Sequence, residues 1–400
     1  MAELYKLENE IKHYAWGSPE LLPALTGKRN ASGKPWAELW MGIHPGGPSK
    51  TTIQNKTVML SDLTELPFLF KFLAAGSPLS IQAHPNLAQA REGFERENKE
   101  GIPLSAANRN YRDPNHKPEI VCALTPFTAM AGFREKAETA GLLSMVNGAE
   151  SLCASLEKGY RHFLETLFDL NGAERKSLTA SALSAADSGH PLLRLCGELA
   201  RIYPADPGII SPLYLNVIEL KPCEGLFLPA GILHAYVSGL AMECMANSDN
   251  VLRGGLTPKH IDRKELFSIV SFDPYKPELL KPREVSPGCF SYTHTASGSD
   301  LQSSSLCREF SLYLVKNPVS SAEPALPGGV EIKMPEKGIA AVYNGRAEIT
   351  VFQSGTEGNT AVKKTMILDK GESAFISRRD PEERLVFSGD FTLFAALAPE

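Results

Sequence analysis

Four hundred residues make two or three domains at about 150 residues each, enough to bury several cores without disulfide or metal staples. A hydrophobic fraction of 43% with 22% charged residues excludes a mainly disordered chain. Forty-one basic against 46 acidic side chains give a net charge of −5, too small and of the wrong sign for a chain built to grip nucleic-acid phosphates.

The first residues, MAELYKLENEIKHYAWG, alternate charged with apolar side chains and lack the apolar centre of a signal peptide. No apolar run of about 20 residues occurs elsewhere, so no membrane partner is expected. Seven widely spaced cysteines without a CxxC pair read as reduced thiols, and the chain reads as cytoplasmic. From residue 4 to about 83, turn signals such as Gly17-Ser18-Pro19 and Pro45-Gly46-Gly47-Pro48 separate short strand candidates at 36–41, 52–60 and 68–74. A helix is predicted over 87–98 behind Asn86 as N-cap, then a loop over 111–116 and a strand over 119–124.

Between 134 and about 202, Gly and Pro thin out and apolar residues recur at helical spacing, as in Leu156, Tyr160, Leu164 and Leu167. Three to five helices fit there. Strand text returns at 213–221, 225–228 and 235–237. From 286 onward strand-and-turn text runs to the end, with candidates at 311–315, 338–343, 347–352, 366–368, 373–376 and 391–396. The chain therefore reads as mainly β: residues 1–133 with 205–285 as one β domain, 134–204 as an α-helical insertion, and 286–400 as a second sandwich or barrel.

Three turn-flanked segments carry candidate chemistry. In Ser80-Ile81-Gln82-Ala83-His84, strand alternation projects Ser80, Gln82 and His84 to one face, where an amide oxygen and an imidazole suit a divalent cation. Glu119 opens the apolar strand Ile-Val-Cys-Ala and needs a partner, either a metal or an Arg salt bridge. His116 and Lys117 before it are either solvated loop residues or acid/base groups. In Pro229-Ala-Gly231-Ile-Leu-His234, a tight turn delivers His234 at a strand start. This text resembles the second motif of the cupin superfamily of small β-barrels, in which the histidine ligates a metal; the first cupin motif is not matched as usually written. Pooled, Gln82, His84, Glu119 and His234 form a four-ligand set with one anionic member.

The following stretch crowds Glu243, Asn247, Asp249, Arg253, Thr257 and Lys259 behind His234. With HYAWG at 13–17, AELWMG at 37–42, IQAHPN at 81–86 and NHKPE at 115–119, it closely resembles the type I phosphomannose isomerase family over roughly residues 10 to 270. The chain then reads as two cupin-type jelly-roll barrels with the helical insertion, the C-terminal one a metal-free partner. Only His294 is available there as a histidine after residue 290, and no ligand set assembles from it. The family likeness implies one zinc ion on Gln82, His84, Glu119 and His234, and isomerisation of a small phosphosugar through a cis-enediol(ate), with Arg253 in the active site. The resemblance draws attention to Glu243 as the proton carrier, with Asp249, His116 and Lys117 as alternatives; Arg253 suits either the enediolate or the phosphate. Ser80, Lys71 and Lys259 are candidate phosphate contacts, and a monomer is expected.

Overall fold

In a computed structural model of the chain, the described residues are 3–293, 306–317, 326, 328–333, 336–354, 360–378 and 380–399. His294, on which the metal-free reading of the C-terminal part turned, lies outside them. The architecture is mainly β with inserted helices, as the sequence predicts. Among the described residues no helix is long and apolar enough to cross a membrane.

Among the described residues, eleven strands form one antiparallel system, ordered Leu279–Leu280, Gly225–Leu228, Glu119–Ala123, His234–Ala246, Phe68–Ala75, Glu38–Met41 and Glu10–Lys12; Ile81–Ala83 and Phe127–Phe133 join it through the same central strand, and Leu252–Gly255 and Leu215–Leu220 pair with these two in turn. That strand, His234–Ala246, ties the system together. Its first residues pair with 81–83 and 127–133, and its later ones with 68–75 and 119–123. It changes partners at Gly239, where φ is +115° and a Cβ would sit 2.6 Å from the Pro126 carbonyl oxygen, so only glycine permits the bend. The sequence suggested a strand ending near 237; the glycine is a bend rather than an end.

Among the described residues, eight further strands, from Arg283–Ser286 to Glu383–Leu397, form the second system, and Glu3–Lys6 joins as the ninth by pairing with the Ser373–Ser377 strand. Nothing in the sequence signalled that the N-terminus belongs there. The single strand predicted over 52–60 is a hairpin of Lys50–Ile53 and Lys56–Met59, turned by Gln54 and Asn55, both at positive φ.

Alternation decides what each strand faces. Phe68, Phe70, Phe72 and Ala74 pack with Ile120, Cys122, Met242 and Cys244 against Leu312, Ile339, Phe375 and Phe394 of the second system. Leu69, Lys71, Leu73 and Ala75 point the other way, to the inner face. Five helices at 136–143, 150–157, 160–169, 172–185 and 191–202 bury Leu152, Leu164, Leu193 and Leu199 in one core with Ile81, Ala83, Leu233 and Ala235. The helical core thus holds the neighbours of the proposed ligands from behind.

Candidate metal centre and active site

With Ile81 and Ala83 committed to the helical core, Gln82 turns to the opposite face, and His84 follows just past the strand end. In register, Gln82 lies between His234 on one neighbouring strand and Arg253 on the other, so all three share a face. Glu119 enters from its own strand, opposite Met245.

The hydrogen-bonding pattern fixes the state of the imidazoles. His84 Nδ1 lies 2.7 Å from the Asn250 carbonyl oxygen and His234 Nδ1 lies 2.9 Å from that of Ile232. A carbonyl only accepts, so each Nδ1 carries the proton and each Nε2 presents a lone pair. Those lone pairs face Glu119 Oε2 at 3.4 Å and 3.3 Å. Burial drives the His84 imidazole down to about 4 despite the adjacent Glu119 carboxylate, so no second proton bridges the gap. Burial alone would raise the Glu119 carboxyl, but the Lys117 ammonium holds it well below the usual range.

Lys117 Nζ occupies Glu119 Oε1 at 2.8 Å, leaving Oε2 aimed at the histidines. Buried His84 Nε2 and Glu119 Oε2 have no hydrogen-bond partner. Three acceptors within 4.8 Å of one another and no donor among them fit a divalent cation, and two imidazoles with one carboxylate suit zinc. The Gln82 amide nitrogen lies 3.4 Å from His234 Nε2, and an amide flip would bring its oxygen to the same point.

Deeper on the inner face, Lys71 stands opposite Glu243 across two strands. Its Nζ lies 2.6 Å from Glu243 Oε2 and 3.1 Å from Glu38 Oε1, all three side chains being buried. The Tyr236 hydroxyl donates to Glu243 Oε1 at 2.7 Å, and Trp40 Nε1 donates to Glu38 Oε2 at 2.7 Å. One ammonium cannot neutralise two buried carboxylates. Burial therefore raises the Glu243 pKa even though Lys71 opposes it, and the paired acids hold Lys71 charged well above the usual lysine range despite its own burial. Lys71, read from the sequence as a phosphate contact, already has its charge committed here.

Toward the outside stand Arg253, half-buried, and Lys259, exposed. Burial and the charge of Arg112 both lower the Arg253 pKa; burial, Arg253 and Arg112 together lower that of Lys259. These mutually repelling cations suit an anion. Ser80, part-buried, keeps the alternation it shares with Gln82. His116 Nε2 is 2.6 Å from Glu309, and Asp249, 47% exposed at its side chain, lies 3.5 Å from His44 Nε2. Asn250, which the sequence reading passed over, is fully buried: its amide donates to the carbonyls of Asp113 and Asn115 at 2.8 Å and 2.9 Å and accepts from the Arg112 N–H at 2.7 Å. It ties the loop before Glu119 to the residue whose carbonyl orients His84.

Residues 4–136 match the family described as phosphomannose isomerase type I, catalytic domain. The chain is 45% identical over 314 residues to a mannose-6-phosphate isomerase of Shigella flexneri, covering 71% of this chain and 79% of that one. It is 30% identical over 439 residues to a probable mannose-6-phosphate isomerase of Caenorhabditis elegans, covering 99% and 96%. Among solved structures it is similar to a zinc-bound mannose 6-phosphate isomerase, with a TM-score of 0.84 and 36% identity over 99% of this chain and 100% of that one. A point mutant of phosphomannose isomerase from Salmonella typhimurium aligns with a TM-score of 0.85 at 36% identity, again over 99% and 100%.

Proposed function

The chain belongs to the type I phosphomannose isomerase family, and from that membership we propose that it interconverts mannose 6-phosphate and fructose 6-phosphate with one zinc ion held by Gln82, His84, Glu119 and His234. The observation that carries the reading is the convergence of His84 Nε2, His234 Nε2 and Glu119 Oε2 on one buried point, with His84 Nε2 and Glu119 Oε2 lacking any hydrogen-bond partner. The reaction moves a hydrogen between C2 and C1 by way of a cis-enediol(ate), which calls for a base and for positive charge near the developing oxyanion. Bound in this site, zinc would act as a Lewis acid that orients and polarises the sugar oxygens.

Glu243 is the base in this account. Each of its oxygens keeps a lone pair beyond those engaged by Lys71 and Tyr236, burial raises its proton affinity toward a useful range, and the Lys71 ammonium compensates its changing charge. Its rivals are otherwise occupied or exposed: Lys117 holds Glu119, His116 holds Glu309, and Asp249 faces solvent. Arg253, beside Gln82, presents its planar fork to the enediolate, while Lys259 and Arg112 beyond it, with Ser80, take the phosphate.

A dehydrogenase-coupled assay for fructose 6-phosphate release tests the assignment. Glu243→Gln should lose about 100-fold or more in kcat with its zinc content intact; an unchanged kcat would remove Glu243 from the mechanism.

A further inference from the structure

The turn that follows Arg253 is bent where its sequence resists bending. Pairing with the 81–83 strand is interrupted by a bulge between Arg253 and Gly255, and Leu256 then sits at φ +53°, a left-handed conformation uncommon for a residue with a side chain. The N–H groups of Leu256 and Thr257 have both left the ladder. They donate to a single carboxylate, Leu256 to Asp206 Oδ1 at 2.8 Å and Thr257 to Asp206 Oδ2 at 3.1 Å. Asp206 Oδ1 also accepts the Gly208 N–H at 2.7 Å.

Asp206 lies where the chain leaves the helices. Ala205 before it is held at φ +65° with its N–H on Thr179 Oγ1 at 3.0 Å, which braces the carboxylate from the Gly172–Ala185 helix. The two backbones are in van der Waals contact: a Cβ on Gly208 would come within 2.9 Å of the Leu256 nitrogen, and one on Gly255 within 3.0 Å of the Gly208 Cα. The same exit segment reaches the other site strand, because the Tyr203 hydroxyl donates to the Pro78 carbonyl at 2.7 Å, just ahead of Ser80.

We propose that Asp206 is a positioning residue for the phosphosugar: by clamping Leu256 and Thr257 it fixes the separation of Arg253 and Lys259, which stand on either side of that turn. The inference rests on the reading of those two cations as substrate contacts. A carboxylate is the right group, since it offers an acceptor to each of two successive N–H donors where an amide offers one. Asp206 itself touches no substrate and acts through the turn.

The test is steady-state kinetics with mannose 6-phosphate, and competitive inhibition by inorganic phosphate, on zinc-loaded Asp206→Ala and Asp206→Asn. The first should raise KM and the phosphate inhibition constant together by about 10-fold with kcat changing less. The second keeps an oxygen for Leu256 and should show a smaller shift in the same sense. Should Asp206→Ala fail to fold, Asp206→Asn with its melting temperature recorded carries the test alone. A lowered melting temperature with KM and phosphate inhibition unchanged would mean that the clamp is only structural. Arg253→Lys and Lys259→Ala separate the two layers of the argument. If neither moves KM or phosphate inhibition, the reading of these cations fails; if they do and the Asp206 variants do not, only the clamp fails.

Discussion

Lys71 is the ammonium shared by two buried carboxylates, and removing it exposes what the arrangement costs. Lys71→Met should destabilise the protein by about 3–5 kcal/mol, read from urea denaturation at neutral pH, because Glu38 and Glu243 would be left buried and unpaired. The pH dependence follows from the same pair. Glu243 accepts a proton only when ionised, and burial raises its pKa, so activity should fall on acidification at a pH above the ordinary carboxylate range. An acidic limb of the kcat profile lying at the ordinary carboxylate value would contradict this.

Not all of this chemistry was legible residue by residue. Gln82, His84, Glu119 and His234 could be read because each interrupts apolar strand text beside a turn. The rule that singled out Glu119, a carboxylate inside an apolar strand, applies equally to Glu38 in AELWM and would have found it. Lys71 in FLFKFLAA was visible as an anomaly, but its partners come from strands distant in sequence, so its charge was assigned to phosphate. The Tyr236 hydroxyl, the Asn250 hub and Arg112 have no spacing signature at all; only the fold brings them to their partners.

At the scale of elements, the site depends on one long strand bending without breaking. His234 and Glu243 both lie on it, on either side of Gly239. Gly239→Ala should destabilise by about 1–3 kcal/mol, through the positive φ and the close Pro126 carbonyl, and thermal melting measures it. A melting temperature equal to that of the unsubstituted protein would show that the bend is not under constraint. The sequence ended the strand near 237 and could not distinguish a turn from a bend. The helix behind Asn86 was legible to the cap: it runs Leu87–Lys99 with Asn86 and Gln89 closing a capping box. Local chemistry specifies caps, whereas bends depend on which strands lie alongside.

In the whole molecule, the two sheet systems are joined by an aromatic seam, and Phe72 is fully buried within it. Phe72→Ala should cost about 3–5 kcal/mol of stability, measured by denaturant unfolding, if that seam holds the two systems together as one core. A loss confined to a few tenths would mean the systems are energetically separate. Turn signals anticipated the many short strands, and the helical spacing of apolar residues anticipated the helices at 136–202, but the pairing of Glu3–Lys6 with the C-terminal sheet is a long-range contact that no local pattern encodes. The net charge of −5 also takes its place at this scale. An anionic phosphosugar would be captured by the local group of Arg112, Arg253 and Lys259 rather than by the field of the whole chain.

Everything proposed for catalysis passes through the point where His84, Glu119 and His234 converge. Zinc should therefore be titrated into chelator-stripped protein while fructose 6-phosphate release from mannose 6-phosphate is followed. Turnover should be absent at the start, rise with added zinc and level off at one ion per chain, and Glu119→Gln, which lacks the one anionic ligand, should not recover it. Full turnover in the stripped protein, or normal zinc binding and turnover in Glu119→Gln, would contradict the assignment.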